Sequence, residues 1–259
     1  MDEDWTFATV LDHGFVKLHD AMPHWTRESG DARVVEAARV SFARGVTESE
    51  TRTTEQNEKL IRYLLKNAHT SPFEKVRFEF VAKMPIFVAR QWVRHRTGSI
   101  NEVSARYTEL PNEYYLPALE RVQEQSASNK QGSGAVFPEG PAQEIREEIA
   151  AVAETAYEAY ERLLNQNVAR ELARMVLPTN FYTAWYWTVD LHNLMGFFRT
   201  RLHPHAQFEL RQYAKAMISM AAVVAPMTMR CFTELYGKDL DLPGIAGELP
   251  GPFRDVVLT

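Results

Sequence analysis

The hydrophobic positions of this chain change period several times, and each change marks an element. Phe7 to Met22 begins with the one-in-two alternation of a strand, and Ala32 to Ala43 has helical spacing through Val34, Val35, Ala38 and Phe42. Thr53 or Thr54 is placed to cap a helix running to about Ala68, with Leu60, Ile61, Leu64 and Leu65 on one face. Val76, Phe78, Phe80 and Ala82 then alternate with Lys75, Arg77, Glu79 and Lys83, the pattern of a strand with one buried face. Pro85 suits the first position of a following helix, predicted to carry Gln91, Arg94 and His95 on successive turns. Between Gln123 and Gly140 the chain is rich in Gln, Ser, Asn and Gly without period, which predicts a mobile loop. Ile145, Ile149, Val152, Ala156 and Leu163 mark a long amphipathic helix that ends before Pro178. An aromatic-rich strand follows from Phe181 to Val189, with Phe181, Thr183, Trp185 and Trp187 on one side as core. Asp190 is a candidate N-cap, and another helix runs from His205 to about Tyr236, interrupted at Pro226.

This order of elements predicts an α+β fold: one domain over residues 1–237, with a mixed or antiparallel sheet flanked by helices and long helices in the C-terminal half. A polar loop at about 119–141 interrupts it, and a Pro- and Gly-containing tail over 238–259 follows.

Composition narrows the chemistry. With 259 residues, 45% apolar content and a net charge of −5, the chain reads as an ordinary globular protein and not as a nucleic-acid binder, which carries a basic face. Cys231 is the only cysteine, which excludes an intrachain disulfide and a cysteine-based zinc site. No basic-then-apolar leader is seen at the N-terminus, and the longest apolar run, Met220 to Met227, contains Pro226 and is too short for a bilayer. The expectation is a soluble, cytoplasmic protein without a membrane or nucleic-acid partner.

Against the acidic background, four arginines face one acid, Glu102, between Arg90 and Arg106. The stretch Arg94-His95-Arg96-Thr97-Gly98-Ser99-Ile100-Asn101-Glu102-Val103-Ser104-Ala105-Arg106-Tyr107 joins fixed guanidinium charge to hydroxyl and carboxamide donors. Planar guanidinium forks match phosphate oxygens two at a time, so a phosphorylated small molecule is the natural partner.

Arg94-His95-Arg96, then seven residues, then Ser104, resembles the signature of the flavin-dependent thymidylate synthases. The resemblance continues through His69-Thr70-Ser71-Pro72-Phe73-Glu74, Ala173-Arg174-Met175-Val176-Leu177-Pro178, Asp190-Leu191-His192-Asn193-Leu194, and Arg201 through His205-Ala206-Gln207. These islands span roughly residues 8 to 236 in the family's order. The resemblance implies methylation of dUMP to dTMP, with methylenetetrahydrofolate as carbon donor, NADPH as reductant and FAD as cofactor, in a homotetramer whose sites are shared between subunits. It implies dUMP contacts from Gln91, Trp92, Val93, Arg94, Glu102, Val103, Ser104, Ala105, Arg106, Arg174 and Arg201, with Arg201 activating the pyrimidine ring. It implies FAD contacts from Ser71, Arg94, His95, Arg96, Glu102, Asp190, Leu191, His192 and Gly196. Two positions depart from the family: Asp190 stands where Asn is common, and Gly196 where an Asn or His side chain is usual.

Other constellations carry less. His203 and His205 at i and i+2 do not share a helix face, and no carboxylate stands at catalytic-zinc spacing, so no metal site is assigned. Ser104 lacks a nucleophile's glycine elbow and acid–base partner, and Cys231 lies in an apolar, methionine-rich segment unsuited to a thiolate. Arg174 and Arg201 sit in apolar helical contexts, where an arginine either snorkels, pairs with a buried acid (Glu209 for Arg201), or contacts a ligand. A non-catalytic nucleotide sensor and a metal-dependent nucleotide phosphohydrolase remain alternatives at this point.

Overall fold

Phe78, Phe80, Ala82 and Met84 have no solvent exposure at all, and they form the central strand of the structure, a computed structural model that describes residues 4–23, 29–40 and 53–242. Phe42 and Ala43 of the first helical pattern, and the tail from residue 243, lie outside the described residues.

The chain opens with a hairpin of β1 (Phe7–Val10) and β2 (Gly14–Met22), followed by α1 (Ser29–Arg39) and α2 (Thr54–Lys66). Thr53 caps α2 through a reciprocal pair: its hydroxyl accepts from the Gln56 amide, and the Gln56 side chain accepts from the Thr53 amide. β3 (Arg77–Pro85) leads into α3 (Ile86–Trp92) and β4 (Ser99–Glu102). A small two-stranded sheet, β5 (Gln123–Gln125) and β6 (Ser133–Val136), precedes α4 (Glu139–Asn165) and the short α5 (Arg170–Ala173). β7 (Tyr182–Asp190), α6 (Leu191–Arg201), α7 (Phe208–Val224) and α8 (Pro226–Tyr236) complete it.

The main sheet runs β1-β2-β3-β7-β4 with every neighbour antiparallel. β3 and β7 pair over their full length, setting Phe80 opposite Trp187 and Ala82 opposite Trp185. The aromatic stripe of β7 is core, covered by Trp92 and Phe197, while α7 packs over β1 and β2 with Leu210, Tyr213 and Met217 fully buried. Pro226 ends α7 and begins α8 at the first helical turn, where its missing N–H costs nothing.

Two expectations are corrected. The Gln123–Gly140 segment is not a structureless loop: its turn residues Ser126, Asn129 and Gly132 bond one another, so β5 and β6 close into a hairpin, and α4 begins at Glu139. The local sequence lacks apolar alternation because both strands are almost wholly solvent-facing. Pro85 is not the first helical residue but the last of β3, and α3 stops at Trp92, so Arg94 and His95 lie on no helix face. The amphipathic face of α4 is present, yet only Ala142, Ala153 and Tyr160 of its 27 residues are buried in the single chain. Val152 remains 58% exposed, and Leu172 and Met175 continue the uncovered apolar surface. Among the described residues, no helix is long and apolar enough to cross a membrane.

Candidate active site

The position of Arg201 follows from the way α3 ends. Ile86 and Phe87 donate their amides to the Phe181 and Thr179 carbonyls, which satisfies the start of this short helix. Trp92 is its buried anchor, edge-on to Trp185 and Trp187 at 5.5 and 5.3 Å between ring centres. The chain then turns back at once, because β4 must pair with β7 beside it. Gly98 makes the turn possible: a Cβ there would lie 2.1 Å from the Trp187 indole nitrogen. Arg94, His95 and Arg96 are therefore displayed on a tight connection between α3 and β4.

Arg201 reaches both the end of α3 and this turn. Arg201, the last residue of α6, donates from Nε to His95 Nε2 at 2.9 Å and from Nη2 to the Gln91 carbonyl at 3.0 Å. Gln91 in turn donates its side-chain amide to Gln207 Oε1. The His95 ring rests edge-on against Phe197, 4.8 Å away. Burial first, and the Arg201 charge second, push the His95 imidazole down to about 4, so it is neutral and accepts at Nε2. Burial and then the neighbouring Arg94 lower Arg201 from its ordinary value. Arg201 does not pair with Glu209, which instead accepts from Arg121 at 2.8 Å and from the Tyr115 hydroxyl at 3.2 Å. Arg94, Arg96, Arg174 and Arg201 have no carboxylate partner among the described residues.

A second group lies elsewhere on the chain. Arg106 is exposed and pairs with Glu171 at 3.3 Å. The Ser104 hydroxyl accepts from the Arg106 amide at 3.3 Å, which holds the turn. Arg174 stands exposed on a short turn beside Met175. Glu102, at the end of β4, accepts from the Thr183 hydroxyl at 2.6 Å. No hydrogen bond or ion pair among the described residues joins Ser104, Arg106 or Arg174 to Arg201. The side chains of Trp92, Ala105 and Leu191 are buried, so these three offer a ligand only backbone groups, and Val93 and Val103 are apolar.

A third group surrounds a cavity of about 170 Å³ between the end of α2 and the start of α6, where His69, Thr70, His192, Asn193 and Gly196 meet. A Cβ on Gly196 would touch nothing within 4 Å, so the glycine widens this space and does not serve a close packing contact. Ser71 is exposed beside it. Asp190 caps α6: its two oxygens accept from the Asn193 amide at 2.9 Å and the Asn193 side chain at 2.7 Å. That carboxylate is occupied within the protein. Among the described residues no three His, Cys, Asp or Glu side chains gather as metal ligands.

A family profile described as "Thymidylate synthase complementing protein" matches residues 22–227. The chain is 48% identical over 227 residues to a flavin-dependent thymidylate synthase of Anaplasma marginale, covering 88% of this chain and 74% of that one. It is 44% identical over 225 residues to the enzyme of the same name from Wolbachia pipientis, covering 87% and 75%. This chain belongs to the flavin-dependent thymidylate synthase family. The structure superposes with a TM-score of 0.77 on PolB from Streptomyces cacaoi, a UMP/dUMP methylase crystallised with 5-Br dUMP, at 33% identity over 88% of this chain and 97% of that one.

Within that family frame, three contributors escaped the sequence reading. Gln207 supports Gln91, Phe197 seats His95 and Thr183 holds Glu102. Each acts across a long sequence separation, and none carries a charge that would single it out in a linear reading.

Proposed function

We propose that this chain catalyses reductive methylation of dUMP to dTMP, with methylenetetrahydrofolate as carbon donor, NADPH as reductant and FAD as cofactor. The observation that carries the reading is the Arg201 guanidinium, fixed at Nε and Nη2 by neutral acceptors and left without a carboxylate in a half-buried position. Burial and the neighbouring Arg94 disfavour its charged form, and an anionic group beside it would relieve that cost. The guanidinium suits a pyrimidine edge that gains negative charge during reaction, because the donor is preorganised and the site partly excludes water. Ring activation by this route needs no enzyme nucleophile. Burial raises the Cys231 thiol to about 11, and the Ser104 hydroxyl has no hydrogen bond to a base among the described residues, so neither is equipped to attack the ring.

Gln91, Arg94, Ser104, Arg106 and Arg174 then hold the nucleotide phosphate and sugar. Ser71, Arg94, His95, Arg96, Glu102, the Asp190–His192 segment and the space at Gly196 hold the flavin, which when bound supplies the reducing equivalents. The mixture of hydroxyl, imidazole and guanidinium donors with an open cradle at Gly196 fits such a group. The lack of any hydrogen bond or ion pair joining Arg106 or Arg174 to Arg201 among the described residues, with the exposed apolar side chains of Val152, Leu172 and Met175, supports a homotetramer in which subunits share sites.

The test is anaerobic. Enzyme-bound flavin is reduced with NADPH, and dUMP and methylenetetrahydrofolate are added together. Reoxidation of the flavin with formation of dTMP is expected, and flavin that stays reduced in the presence of both substrates overturns the reading.

A further inference from the structure

An open cleft of about 900 Å³ is lined by none of the residues assigned above to dUMP or FAD. It lies between the β5–β6 hairpin, Arg146 on α4, and the connection from α6 to α7. One edge of it is Gln207, whose carboxamide bonds Gln91, and Gln91 in turn receives Arg201. A molecule seated in this cleft therefore abuts the reaction centre.

The lining specifies what it would take. Arg121 and Arg211 also border the cleft, but Glu209 and Asp241 already neutralise them at 2.8 and 3.0 Å. Arg146 has no carboxylate partner among the described residues: Nη1 donates to Gln143 at 3.2 Å, and Nε is buried without any acceptor. A guanidinium in that condition recruits an anion. Gln131 and Gln212 line the same space, and their carboxamides make no hydrogen bond among the described residues. A carboxamide offers both donors and an acceptor, which matches a secondary amide group for group. A phosphate, which only accepts, would leave half of that capacity unused. Two acids stand on the rim: Asp12 is already taken by the Tyr182 hydroxyl and the Leu116 amide, and Glu120 is exposed to solvent.

We propose that this cleft binds a tail of amide-linked carboxylates, the glutamyl end of the folate co-substrate, with Arg146 on a carboxylate and Gln131 and Gln212 on the amide links. The inference rests on the proposed function for the choice of folate, while the amide–carboxylate chemistry comes from the cleft itself.

The experiment measures calorimetric affinity of the flavin-loaded enzyme for p-aminobenzoyl-glutamate, its γ-linked triglutamate and NADPH. The triglutamate should bind more tightly than the monoglutamate. Arg146→Ala should weaken the triglutamate about tenfold or more, the scale of one lost charge-assisted hydrogen bond, and leave NADPH unchanged. Gln131→Ala, at an exposed hairpin position, should reduce the gain from added glutamates without altering the melting temperature. Unchanged triglutamate affinity in both variants, or selective loss of NADPH, overturns the proposal. An enzyme that makes dTMP but binds no glutamyl compound removes this inference alone. Glutamyl binding without dTMP formation removes the proposed function alone.

Discussion

Arg201 and His95, 106 positions apart, meet through one hydrogen bond in which the guanidinium Nε donates to the imidazole Nε2 at 2.9 Å. Because His95 accepts there, it must be unprotonated, and the buried position beside a cation keeps it so. With the second bond, from Nη2 to the Gln91 carbonyl, this bond fixes the plane of the guanidinium and leaves Nη1 without a hydrogen bond among the described residues. Arg201→Ala should fold, retain flavin and be reduced by NADPH, but lose about 10²–10³ in dTMP formation, as expected for one preorganised donor. Arg201→Lys should recover little, since a point charge cannot reproduce the planar fork. Near-normal turnover in the alanine variant would remove Arg201 from the mechanism.

Replacing the acceptor tests the same bond from the other side. His95→Leu keeps bulk against Phe197 but leaves the Arg201 Nε without a partner, and should lower kcat more than it raises the KM for dUMP. His95→Gln retains an acceptor and should be milder. Equal activities in the two variants would show that the hydrogen bond does not matter.

The pH dependence has a definite sign. Folding lowers His95 from 6.5 to about 4, so on acidification the unfolded chain takes up this proton first. The contribution to stability is complete above 6.5 and is lost progressively as pH falls toward about 4. Urea midpoints across that window should fall more for the native enzyme than for His95→Gln. NMR of the imidazole should show no titration near 6.5.

The proposed sharing of sites between subunits predicts complementation. Arg174→Ala and Arg201→Ala should each be inactive alone, yet partial activity should return when the two proteins are unfolded together and reassembled. Silence in verified mixed oligomers would place both residues in one subunit's site.

Asp31 offers a stability test away from the site. Its buried carboxylate on α1 accepts from the Met227 amide at 2.7 Å and from the Thr228 amide and hydroxyl at 2.9 and 2.6 Å, which caps α8 from another element. Asp31→Ala should cost about 1–3 kcal/mol in denaturant unfolding, the scale of orphaned buried donors, with turnover per folded enzyme unchanged. Cys231→Ala should likewise leave turnover intact, since its thiol is buried and raised to about 11.

Periodicity alone determined the parts of this protein whose stability is local. The alternation in Val76–Ala82, the Thr53 cap, the Asp190 cap and the break at Pro226 all appear in the structure, because each depends on neighbours within a few residues. The run from Arg94 to Tyr107 likewise displayed its fixed positive charge in the linear sequence, since guanidinium charge does not depend on fold. What tertiary structure decided is where α3 stops and what Arg201 touches. Helix spacing continued past Trp92 on paper, but Gly98 packing on Trp187 and β4 pairing with β7 force the turn that carries Arg94 and His95 off the helix. The β5–β6 hairpin was invisible because solvent-facing strands have no apolar face to betray them. The cleft beneath it was equally hidden, because its walls come from the hairpin, α4 and the start of α7, segments that no local pattern relates to one another.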